Sequence, residues 1–181
     1  MNVRPCVYGS VALGMTCLVA GCEETAPRAR QVAPSVSADQ QAAAQQAAES
    51  AALAWFGLLD AGEYKESWGA ASTLFRDHLA QSRWEVKVAT ARGHLGELVS
   101  RKLQLAVFAQ TIPDYEYTSE GRWLAGRKGE YVIVKFSTSY RYFHVIETLI
   151  LIKDSDGVWR VADYYIASGD ETSCIGSRIC G

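Results

Sequence analysis

The sequence carries none of the short motifs that would announce a reaction. It has no G-x-S-x-G elbow for an acyl-transfer nucleophile, no G-x-x-x-x-G-K loop to cradle phosphates and no H-E-x-x-H pair for zinc. Histidine is scarce: His78, His94 and His144 lie far apart, none at i, i+4 with another ligand, so neither a metal centre nor a cofactor is implied. An excess of positive charge is also missing. The formal net charge of −2 argues against a nucleic-acid partner, which would need a strongly basic face. Nor is there an uninterrupted apolar run of the ~20 residues a membrane span requires. The stretch from Val7 to Ala20 comes nearest, and Gly9, Ser10, Gly14 and Thr16 break it.

What the chain does have begins at that stretch. Arg4 precedes it, and Leu18-Val19-Ala20-Gly21-Cys22 ends it. A basic start, a short apolar middle and small residues before a cut site describe a secretory signal peptide. Cysteine placed directly after the small residues resembles the lipobox of bacterial lipoproteins. That resemblance implies cleavage before Cys22, acylation of its thiol, and a membrane partner reached through a lipid anchor on the periplasmic side. It does not assign the inner or the outer membrane. Residues 1–21 would then be signal, leaving 160 residues with 17 basic and 20 acidic side chains, a size usual for one domain. Hydrophobic residues make up 49% of the chain, with five tryptophans and nine tyrosines, enough for a genuine core.

Of the five cysteines, the resemblance implies that Cys6 and Cys17 leave with the signal and that Cys22 takes the lipid, so Cys174 and Cys180 would remain. In an oxidising compartment such a pair is expected to form a disulfide. Closing so small a loop is worth roughly 2 kcal/mol. The other reading is a redox pair, but the spacing is not C-x-x-C and no cationic helix start lies nearby.

Residues 22–36 contain Pro27 and Pro34 and no apolar period, and serve as a tether. Residues 37–167 form the expected globular domain, and 168–181 a tail with the disulfide loop. Ser37-Ala38-Asp39-Gln40 fits a capping box. It opens a helix with Ala44, Ala48, Ala51, Trp55 and Leu58 or Leu59 at helical spacing, stopped by Gly62. Tyr64, Trp68, Ala71 and Phe75 mark a second amphipathic helix. Ser82-Arg83-Trp84-Glu85 is a further capping box, opening a third helix through Val88, Ala91 and Leu95 that ends at Gly96. The pattern then turns to alternation: Leu103 to Ala109, Val132 to Tyr140, Val145 to Ile152 and Val158 to Ile166 predict four strands, with Asp154-Ser155-Asp156-Gly157 as a turn. The fold class is α+β: three N-terminal helices packed on one face of a curled, cone-like antiparallel sheet of about four strands.

Ala54-Trp55, Asp60-Ala61-Gly62-Glu63-Tyr64, Ser67-Trp68, Phe75-Arg76, Trp84 and Arg92 resemble the helical half of a bacterial family known as a domain of unknown function, number 4019. Gly129-Glu130-Tyr131, Phe136-Ser137-Thr138, Glu147-Thr148, Gly157 to Val161 and Tyr164-Tyr165-Ile166 are similar to its sheet half. The resemblance runs from about Gln46 to Ala167. It departs at His94-Leu95-Gly96, where the family tends to have proline before the glycine, and at Asp163, where it tends to have glycine. It implies a fold and no reaction. The element order is also similar to the cone of nuclear transport factor 2 and ketosteroid isomerase, an analogy of fold alone.

The charged set Arg76, Arg92, Arg101, Glu147 and Arg160 is the candidate ligand or ion-pair cluster. Glu147 falls inside an apolar strand, where a buried carboxylate needs a partner, and Arg160 on the neighbouring strand is one donor in reach. The set forms either a structural ion pair or a pocket whose arginine holds an anionic group. Asp60, Asp163, Tyr164 and Tyr165, with the arginines, suggest an isomerase-like pocket with an acidic base and a tyrosine oxyanion donor; the simpler expectation has the tyrosines covering the core and Asp163 facing water. Trp123, in the polar stretch 114–128, is the candidate partner rim. No catalytic residue is assigned. The expected role is a non-catalytic binding or structural module meeting an envelope protein or a small ligand. The alternatives are a small pocket enzyme of isomerase-like type, and an assembly or inhibitor factor for an envelope partner.

Overall fold

The computed structural model describes residues 36–112 and 121–169. Cys22, Cys174 and Cys180, the signal, the tether and most of the tail lie outside the described residues. Helix α1 (Ala38–Asp60) starts at the expected capping box: the Ser37 hydroxyl accepts from the Gln40 amide, and the Gln40 side chain accepts from the Ser37 amide. Its buried face is Ala48, Ala52, Trp55, Phe56 and Leu59. It ends in a Schellman turn in which Glu63 N–H donates to Leu58 O and Gly62 N–H to Leu59 O. Gly62 takes φ +76° there, which a side chain would resist.

The predicted second helix is broken in two, α2 (Tyr64–Ala70) and α3 (Thr73–His78). The cause is Ser72. Its hydroxyl caps α3 by accepting from Phe75 N–H, and its own N–H donates to Val161 O in the sheet, so the helix cannot run through it. Helix α4 (Gln81–Gly93) begins ahead of the predicted Ser82 box, with Ala80 at the cap position and no side-chain cap. Glu85, the expected partner in that box, accepts from Gln81 one turn earlier.

The strands are β1 (Leu98–Thr111), β2 (Lys128–Tyr140), β3 (His144–Lys153) and β4 (Trp159–Ser168), with a short 3-10 turn at Gly121–Leu124 before β2. They form an antiparallel meander in sheet order β1-β2-β3-β4. The helices therefore lie N-terminal to an open four-stranded sheet, an α+β architecture. Val132, Val134, Phe136, Leu149, Leu151, Val161 and Tyr164 face the helices and close the main core on Trp55, Phe56, Phe75 and Trp84. On the opposite face Tyr131, Ile133, Ile150 and Tyr165 pack with Ile112, Leu124 and Leu74. A register shift between Ile150 and Leu151 leaves Ala162 as an extra residue in β4, next to Asp163. No helix among the described residues is long and apolar enough to cross a membrane.

Candidate functional site

The main polar feature grows from one carboxylate on the helix-facing side of β3. Alternation along an antiparallel pair puts Glu147 beside Phe136, on the same face as Leu149 and Leu151, and it is fully buried. Burial of a charge this deep is tolerated only with partners on every lone pair. Glu147 has five donors. Arg92 Nη1 at 2.9 Å, Tyr140 OH at 3.0 Å and Tyr164 OH at 2.6 Å reach Oε1. Arg101 Nε at 3.0 Å and Thr138 Oγ1 at 2.7 Å reach Oε2.

The same two arginines then close on Asp60. Arg101 grips it with both terminal nitrogens, at 2.7 and 3.1 Å, while Arg92 Nη2 bonds Oδ1. Two guanidinium groups thus alternate with two carboxylates, and the formal charges cancel. The Arg101 guanidinium lies over the Phe56 ring at 3.8 Å and that of Arg92 near Tyr140 at 5.4 Å. Asp60 ends α1, Arg92 lies in the last turn of α4, and the remaining groups come from all four strands. The lattice therefore ties two helix ends to every strand. A carboxylate in the last turn of a helix opposes the macrodipole, so local helix physics does not account for Asp60; the two arginines do.

Electrostatics follow from this packing. Burial alone would raise the Asp60 carboxyl, but hydrogen bonds and charge from Arg101 and Arg92 hold it below its ordinary value. Burial works against the charge of both arginines and is outweighed: Tyr164 and Glu147 keep the proton on Arg92, and Asp60 and Glu147 keep it on Arg101. Burial, then the neighbouring Glu147, pushes Tyr140 and Tyr164 upward. An open cleft of about 430 Å³ reaches the lattice from outside, bounded by Asp60, Tyr64, Arg92, Gly96, Glu97 and Tyr140.

The five-residue charged set does not converge as one cluster: Arg92, Arg101 and Glu147 meet, and the other two lie elsewhere. Arg76 donates to the Gly69 and Ala71 carbonyls freed where α2 ends. Arg160 pairs with Asp154 and Asp156 across the β3–β4 turn, and holds Asp156 down at about 2; its expected partner Glu147 is reached from the other end of the sheet. Trp123 is half-buried, its Nε1 donating to Asp163 Oδ2 at 3.2 Å while its ring stacks on the exposed His78 at 4.0 Å. Asp163, expected to face water, is buried at 6% exposure and its Oδ1 accepts from Tyr164 N–H. His78 is lowered, first by burial and then by Lys87 and Arg127. With Lys87, these groups border a small cavity of about 60 Å³. Among the described residues no His, Cys, Asp and Glu side chains gather into a group able to hold a metal ion.

Thr138 and Tyr140 are lattice members that the candidate cluster omitted. Their signal was the alternation of β2 itself, which carries two hydroxyls onto the dry face at the end where Glu147 arrives.

Residues 51–164 match the family described as Protein of unknown function (DUF4019), and the chain belongs to that family. The matched stretch contains every residue of the lattice, from Asp60 to Tyr164. No curated protein matches the chain, and no solved structure does.

Proposed function

We propose that this chain is a lipid-anchored protein of the bacterial envelope, facing the periplasm, whose α+β domain acts as a non-catalytic binding or structural module. The state of the carboxylates carries the reading of the module. A general base needs a free lone pair and a pKa near the working pH. Asp60 is held low and doubly clamped, and Glu147 spends its oxygens on five donors. Such a lattice is suited to fixing the walls of the adjoining cleft, with the charges already neutralised before any ligand arrives. An envelope protein or small ligand meeting this cleft would find preset donors and acceptors. Assembly or inhibition of an envelope partner is a form of the same reading.

The isomerase-like alternative would use a pocket lined by Asp60, Asp163, Tyr164 and arginines. That set is divided between two places. Asp60 and Arg92 border the cleft of about 430 Å³, with Asp60 held low by its arginines. Asp163 and Tyr164 border a separate space of about 60 Å³, well short of the 300–1,000 Å³ of ordinary ligand sites. The anchor rests on the motif ending at Cys22. Membrane fractionation with acyl labelling tests it: Cys22→Ser is expected to release soluble protein or leave uncut precursor, because stable anchoring needs more than one acyl chain. Acyl label entering that variant would overturn the assignment. For the module, exchange of substrate-like carbon acids with solvent deuterium, abolished in Asp163→Asn, would instead establish the enzyme.

A further inference from the structure

The lattice is complete on one of its arginines and not on the other. Arg101 engages all three guanidinium nitrogens, Nε on Glu147 and both terminal nitrogens on Asp60. Arg92 engages two. Its Nη1 donates to Glu147 and Tyr164 and its Nη2 to Asp60, and among the described residues nothing accepts from its Nε. Arg92 is only 8% exposed, and a donor buried that far without an acceptor calls for an explanation. The side chain borders the open cleft of about 430 Å³, so Nε is the nitrogen left for a group held there.

Acceptors in the same cleft are unfilled too. A carboxylate offers about four lone-pair sites. Asp60 receives three donors, only one of them on Oδ2, and its side chain keeps 24% of its surface accessible. Glu97 borders the cleft in an exposed position, and among the described residues no ion pair reaches its carboxylate. Because the charges of the lattice cancel, Glu97 leaves the cleft one net negative charge. Leu59, Leu98 and Tyr64 supply apolar wall. Gly93 borders the space as well; its φ is not positive and a Cβ there would meet nothing within 4 Å, so glycine serves to keep the cleft open.

We propose that this cleft binds small zwitterions of the amino-acid class, the ligand carboxylate on Arg92 Nε and its ammonium facing Asp60 Oδ2 and Glu97. The proposal rests on the reading of the domain as a binding module. A simple anion would meet one donor opposed by two carboxylates. A simple amine would leave the Arg92 donor unmet. A ligand with both charges answers both and brings no net charge into the cleft. The volume lies within the roughly 300–1,000 Å³ of ordinary ligand sites, which leaves room for an apolar side chain against Leu59 and Leu98.

The test is an NMR titration of the isotope-labelled full chain with glycine, L-leucine and L-phenylalanine, read at the Arg92 Nε–H and at the Gly93 and Gly96 amides. L-leucine is expected to shift all three signals saturably. Isoamylamine and isocaproate, which each keep one of its charges, are expected to bind about tenfold more weakly. Glu97→Gln should weaken L-leucine about threefold. Gly93→Leu should abolish the shifts with unchanged circular dichroism. An Arg92 Nε–H unmoved by all three amino acids, either half-ligand binding as tightly as L-leucine, or binding that survives Gly93→Leu overturns the proposal. Shifts at Gly93 and Gly96 alone would refute this ligand and keep the module. Exchange of the L-leucine Cα hydrogen with solvent deuterium would instead refute the module and keep the site.

Discussion

Glu147 is the most deeply buried charged side chain among the described residues, with no accessible surface and ion pairs to Arg92 and Arg101. Glu147→Gln keeps the shape and removes the charge, leaving Arg92 and Arg101 with one carboxylate between them. Breaking a buried ion pair on one side typically costs 3–5 kcal/mol, and urea unfolding should show about that loss with an unchanged slope. Combined with Arg92→Met, the effect should be less than additive, since both act through one network. Asp60 supplies a pH signature. Its folded pKa is depressed, so its contribution is present above the ordinary aspartate value near 3.8 and is lost as pH falls through the folded value. Denaturation midpoints measured from pH 6 to pH 2 should decline on that limb, and Asp60→Asn should flatten it. The tyrosines act at the other extreme. With Tyr140 and Tyr164 raised, stability persists below about pH 10 and falls above it as the unfolded phenols ionise. At this scale the sequence was legible where a residue broke a pattern. Glu147 stood out inside an apolar strand. Arg160 misled because proximity in sequence across a turn says nothing about which end of the strand the carboxylate occupies. Trp123 is half-buried, its ring on His78 and its Nε1 on Asp163, contacts that its polar neighbourhood in sequence did not announce.

Among the elements, helix ends and turns decide the architecture. Ser72→Ala removes a cap and should cost about 1 kcal/mol, read by thermal unfolding, with the loss confined to α3 in hydrogen exchange. Two glycines provide a controlled comparison. Gly62 and Gly96 both have positive φ, but a Cβ at Gly62 meets open space, whereas at Gly96 it would lie 2.8 Å from the Tyr142 ring. Gly62→Ala should cost only the ~1–2 kcal/mol of the left-handed backbone, and Gly96→Ala clearly more. Equal losses would mean that the turn carrying Tyr142 yields freely. Periodicity announced the four strands and α1, since period two and a capping box are local signals. It merged α2 with α3 because Tyr64, Trp68, Ala71 and Phe75 keep helical spacing across a break that a hydrogen bond to β4 imposes. It started α4 late because Ser82 and Glu85 formed a plausible box, while the helix took Ala80 as its boundary. Both departures come from tertiary contacts that no local window contains.

For the whole molecule, the disulfide proposed between Cys174 and Cys180 is checked by mass spectrometry of exported protein without reductant. The expected mass is two hydrogens short of the dithiol, and free thiols at both positions would revive the redox reading. Scale also gives α1 a meaning beyond its packing. Its first turn lies with Phe108, Glu130, Lys153 and Trp159, at one end of the sheet, and its last residue sits in the lattice at the other. Twenty-three residues at 1.5 Å each make it a strut of about 34 Å. On the proposed anchor, the chain enters the domain at the near end of that strut. The lattice, its cleft and the aromatic turn of Tyr142 and Phe143 gather at the far end, so a ligand met there is felt about 34 Å from the point where the chain enters the domain.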